Sequence, residues 1–133
     1  MSDMAGAAQR PLSPHLQIYR PMLTMMMSIV HRITGVALYF GTALLVIWLV
    51  AVASTTKSFD AVNGLYGSWF GLIVLVGYSW ALIHHLLGGL RHFVWDTGAG
   101  FGPEARELLA KLTIGGSIAL TILLWIAIFL MKG

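Results

Sequence analysis

Two short clusters in this chain concentrate the side chains that can do chemistry, and each stands at the edge of a long apolar run: Ser28-Ile29-Val30-His31-Arg32 and His85-Leu86-Leu87-Gly88-Gly89-Leu90-Arg91-His92. Ionisable groups are expensive to hold in hydrocarbon, so their presence at such edges points to a site that faces the interior of a helix bundle. In the second cluster His85, Gly89 and His92 recur at spacings of four and three, one stripe of a helix, with Gly88 beside them. An imidazole next to residues without side chains suits a flat macrocycle, which needs a nitrogen ligand for its iron and clearance for its edge. Haem b is the natural candidate. The adjacent His84 projects about 100° away around the helix, so His84 and His85 cannot both bind one iron, and a six-coordinate haem takes its second ligand from elsewhere. The alternative is that His85 serves only as a hydrogen-bond partner to a neighbouring helix.

The first cluster has a different chemistry. Ser28 and Arg32 are four residues apart, so a hydroxyl and a fixed cation share one helix face, with Gly35 a turn further in and His31 beside them. Such a group can orient a carbonyl-bearing lipophilic molecule such as a quinone, or neutralise a carboxylate such as a haem propionate. The plainer alternative is that Arg32 snorkels to phosphate headgroups and Ser28 bonds back to its own helix.

The elements that must position these clusters follow from composition. Hydrophobic residues make up 58% of the 133, charged residues only 10%, and the mean hydropathy is +0.83, far more apolar than an ordinary soluble domain. Residues 33–56, 61–90 and 112–131 contain no Asp, Glu, Lys or Arg, and each reaches the roughly 20 residues an α-helix needs to cross about 30 Å of hydrocarbon. The expectation is an all-α membrane protein with three transmembrane helices over about 22–53, 65–93 and 104–130, a polar outer loop at 55–63, and an N-terminal arm over 1–21. Three prolines between positions 11 and 21 make that arm an extended or turn segment rather than a helix. The first apolar run begins too late for a secretory signal, so the N-terminus is expected to be retained.

Arg10, Arg20, Arg32, Arg91, Arg106 and Lys111 fall on one side of the spans and Lys57 and Lys132 on the other, which by the positive-inside rule places the N-terminus in the cytoplasm and the C-terminus outside. The start of the first helix and the end of the second then share the cytoplasmic leaflet, so both clusters converge there. The third helix has packing duty, with Gly115-Gly116-Ser117 permitting close contact. The net charge of +3 is dispersed between apolar spans and forms no basic stripe, which argues against a nucleic-acid partner. The lack of cysteine removes disulfides and iron–sulfur ligation. No dinucleotide-binding fingerprint is present either.

The run Arg10-Pro11-Leu12-Ser13-Pro14-His15-Leu16 followed by Ser28-Ile29-Val30-His31-Arg32-Ile33-Thr34-Gly35 resembles the N-terminal signature of the cytochrome b membrane subunit of succinate dehydrogenase (complex II). His85, then Gly89-Leu90-Arg91-His92-Phe93-Val94-Trp95-Asp96, resembles that family's second signature. The resemblance implies that His85 is an axial haem b ligand, that the other axial histidine comes from a second small membrane-anchor subunit, that Ser28 and Arg32 line a ubiquinone site, and that His31 lies near the haem propionates. It further implies an anchor for a flavoprotein subunit and an iron–sulfur subunit, the latter touched by the proline-rich arm and His15, in a bacterial cytoplasmic membrane or its equivalent. Such a subunit takes part in succinate:ubiquinone oxidoreduction without being catalytic alone. The alternatives are an anchor of a quinol:fumarate reductase, or a non-redox membrane scaffold in which the histidines only pack.

Overall fold

In a computed structural model, residues 22–133 are described. The arm over 1–21, with Arg10, His15 and the subunit contact expected of it, lies outside the described residues. The rest is all-α, with four helices: α1 (Leu23–Ala53), α2 (Thr56–Tyr66), α3 (Trp69–Asp96) and α4 (Pro103–Lys132). Helices α1, α3 and α4 are long and apolar enough to cross a membrane.

The helix boundaries have local causes. Pro21 precedes the extended Met22 (φ −85°, ψ 148°), after which α1 begins. The expected outer loop at 55–63 is instead a helix. Thr55 caps it, its hydroxyl accepting from Ser58 N at 3.2 Å, and polar Lys57, Ser58, Asp60 and Asn63 that suggested a loop are the wet face of this short element. Ser68 then caps α3 by accepting from Gly71 N at 3.2 Å, so the second span starts at Trp69 rather than near position 65. Gly98 (φ 81°) and Gly100 (φ 78°) turn the chain after α3 in a backbone region that side chains disfavour, and Pro103 at the first turn of α4 restarts it.

Helix α3 is the middle element, packed against both α1 and α4, and α2 folds back on α1 through Tyr66 Oη donating to Leu44 O at 2.7 Å. The helices meet through small residues. A Cβ at Gly41 would run into the Tyr78 ring, and Ala81, Ala110 and Ser117 are buried between α3 and α4. The polarity is the reverse of a water-soluble core: Thr34, His84, Arg91, Thr113, Ser117 and Thr121 are buried, while Ile33, Val36, Tyr39, Phe40, Ile73 and Phe129 are exposed. Apolar faces outward and satisfied hydroxyls inward fit a chain whose solvent is lipid.

Candidate functional site

Helices α1 and α3 run antiparallel, since going down α1 from Gly41 to Gly35 to His31 the facing residue on α3 climbs from Tyr78 to His85 to Gly88. This pairing brings the two clusters together at the end of the bundle formed by the start of α1 and the end of α3. At the opposite end lies an apolar cavity of about 650 Å³ between Gly41, Leu45, Phe70, Tyr78 and Lys132, with no histidine of the described residues in its lining.

His31 and His85 stack face to face, ring centroids 3.9 Å apart and planes 7° from parallel. His85 Nδ1 lies 3.2 Å from His31 O and 3.2 Å from Thr34 Oγ1. The Thr34 hydroxyl spends its own proton on His31 O at 2.9 Å, so both atoms facing His85 Nδ1 are acceptors. The proton of a neutral His85 therefore sits on Nδ1, donated to α1, and Nε2 carries a bare lone pair with no partner among the described residues. This is the arrangement a metal-binding imidazole needs, one nitrogen fixed by a carbonyl and the other free to ligate. His85 is half-buried, and its Nε2 is open to the surroundings.

His84 is disposed differently. It is 1% exposed, its Nδ1 is 3.1 Å from Ser117 Oγ on α4, and its Nε2 is enclosed without a partner. The two neighbouring histidines thus point to different helices, as their angular separation requires.

Gly88 is the residue that lets the histidines stack: a Cβ there would stand 2.5 Å from His31 Nδ1. The clearance expected beside His85 is therefore taken at Gly88 by the His31 ring, while Gly89 has nothing within 4 Å of an added Cβ. His92 is exposed, its ring 5.5 Å from that of His31 and edge-on to Trp95 at 5.2 Å. Arg91 is buried, with its guanidinium carbon 5.0 Å from the Trp95 ring centre and its Nε unpartnered.

Ser28 and Arg32 lie exposed on α1, one stripe with Gly35, whose Cβ position is 3.2 Å from His85 Cε1. The stripe thus leads onto the His85 side of the α1–α3 pair. The Ser28 hydroxyl makes no bond back to its helix, unlike those of Thr34, Thr42, Ser79 and Thr113, and Arg32 has no ion pair among the described residues. Among the described residues neither polar group has a side-chain partner. Thr34 and Ser117, which set the tautomers of His85 and His84, are the functional residues that pattern reading missed. A hydroxyl at 34 or 117 looks like ordinary helix polarity until its partner, 51 or 33 residues away in the chain, is known. Of the small residues expected to pack on α4, a Cβ added at Gly116 would stand 3.4 Å from Leu87 Cδ1 and Ser117 meets His84, whereas Gly115 faces open space.

Over residues 6–124 the chain matches the family described as Succinate dehydrogenase/Fumarate reductase transmembrane subunit. It is 44% identical over 129 residues to the succinate dehydrogenase cytochrome b556 subunit of Paracoccus denitrificans, covering 97% of this chain and 98% of the relative. The corresponding subunit of Rickettsia prowazekii (strain Madrid E) is 40% identical over 118 residues, 89% of this chain and 92% of the relative. A cytochrome b560 subunit from Reclinomonas americana is 31% identical over 122 residues, 88% of this chain and 85% of the relative.

Proposed function

Because the chain belongs to the succinate dehydrogenase/fumarate reductase transmembrane subunit family, we propose that it is the haem b anchor of a succinate:ubiquinone oxidoreductase, holding a flavoprotein and an iron–sulfur subunit on the cytoplasmic face of a bacterial inner membrane. The observation that carries this reading is His85, with Nδ1 committed to α1 and Nε2 bare and open. Among the described residues no cluster of three or more His, Cys, Asp or Glu could hold a metal ion alone, consistent with one axial ligand from this chain and the other from a second membrane-anchor subunit. A bound haem b supplies a one-electron iron couple. His31 stacks on the His85 ring, where it would restrain the rotation of the ligand and stand near the carboxylates of a bound haem. Ser28 and Arg32 do a separate job: the hydroxyl donates a hydrogen bond to a ubiquinone carbonyl, and the guanidinium stabilises the negative charge that builds on that oxygen as the ring is reduced.

The test is spectroscopic. The complex purified through this chain carries b-type Soret and α bands that His85→Ala removes or strongly weakens, while His84→Ala leaves the iron ligated. A colourless and fully active parent complex would sink the assignment in favour of a scaffold.

A further inference from the structure

Histidine 84 is an odd choice for a sealed position between two membrane helices. A leucine would fill the space without a polar atom to satisfy, yet here a buried imidazole gives Nδ1 to α4 and leaves Nε2 with nothing. Ser117 Oγ donates its own proton to Ile114 O at 2.9 Å, so it can only accept from His84, and the imidazole is the donor. Everything else between α3 and α4 lacks direction. Ala81 and Ala110 are buried without a polar side-chain atom, Gly116 has only Leu87 Cδ1 near the place a Cβ would take, and Thr113 and Thr121 bond back to Leu109 O and Ser117 O, each at 2.7 Å. Among the described residues His84 to Ser117 is the one side-chain hydrogen bond joining these two helices.

We propose that His84 is a positioning residue for the haem ligand: by donating to Ser117 it sets the rotation of α3 about its own axis, and so the direction in which His85 presents Nε2. Consecutive residues stand about 100° apart on a helix. The pair therefore ties α3 to both neighbours at once, His84 to α4 and His85 to His31 O and Thr34 on α1. A turn of α3 that kept one of these bonds would stretch the other. Small residues at the α3–α4 contact give low friction against such a turn, which is why a directional bond is needed there.

The inference rests on the haem reading above, and the experiment separates the two. In the assembled complex, the variants His84→Leu, Ser117→Ala and His84→Asn are compared with the parent by redox titration of the haem and by carbon monoxide binding to the reduced form. The amide nitrogen of Asn stands where Nδ1 does, so His84→Asn can still donate to Ser117. The expected result is a shifted midpoint potential and a carbon monoxide difference spectrum in His84→Leu and Ser117→Ala, with parent behaviour in His84→Asn. An unshifted potential and no carbon monoxide binding in both of the first two, or an Asn variant as perturbed as the Leu one, overturns the inference. Ser117→Ala leaves the imidazole in place and decides the matter if His84→Leu does not assemble. A spectrum indifferent to His85→Ala overturns the haem reading and this inference together; one lost in His85→Ala but untouched in His84→Leu and Ser117→Ala overturns this inference alone.

Discussion

Protons decide roles at the level of single residues. Two adjacent imidazoles both donate from Nδ1, His85 to a carbonyl and a spent hydroxyl on α1 and His84 to a spent hydroxyl on α4, and they differ at Nε2, which is open in His85 and enclosed in His84. The first is left able to ligate and the second is closed in. The preference for His85 was legible from the second signature, but the reason was not, because it resides in Thr34 and Ser117, whose hydroxyls give no signal until the helices are assembled. Ser28 and Arg32 share one exposed stripe of α1, as their spacing predicts, with no side-chain hydrogen bond or ion pair among the described residues, and the quinone role proposed for them builds on that. Ser28→Ala and Arg32→Ala are expected to lower ubiquinone reduction by about 10²-fold or more, the usual scale for removing one preorganised donor, while electron flow from succinate to a soluble artificial acceptor stays near the parent rate. Equal loss of both activities in the two assays would count against the assignment.

Helix α3 is the element on which the site depends, since it carries both histidines of the His84–His85 pair and touches both long neighbours. It comes close to α1 at Gly88, where an added methyl would press on Nδ1 of His31, whose ring is already stacked 3.9 Å from that of His85. Overpacking of this kind costs about 1–3 kcal/mol. Gly88→Ala should therefore lower both the thermal midpoint of the complex in detergent and its haem content, whereas Gly77→Ala, with open space at the added methyl, changes neither. Indistinguishable melting of the two variants would show that the close contact at Gly88 is not needed. The three spans were legible because stretches without a single charge have no other physical home. Helix α2 was not, because its polar residues resemble a loop and its start depends on one capping hydroxyl, that of Thr55.

The described residues form an inside-out bundle, with hydroxyls and the His84 imidazole within and Leu, Ile, Val and Phe without. The orientation we propose, with the N-terminus in the cytoplasm, rests on six basic residues against two across the spans. The chain contains no cysteine, so single introduced thiols report topology directly. On intact cells a membrane-impermeant maleimide is expected to label the Lys57→Cys variant and not the Arg106→Cys variant; the opposite pattern would invert the topology. Helix α1, with 31 residues, is about 46 Å long at about 1.5 Å per residue, against a hydrocarbon thickness of about 30 Å. The excess has to stand among the headgroups at one end or both, and Ser28 and Arg32 sit only about 8 and 14 Å from its beginning. A quinone held there, as proposed, would need no buried relay to bring hydrogen ions to its ring, because the boundary layer of the membrane, where lipid gives way to bulk water, would lie within reach of its oxygens.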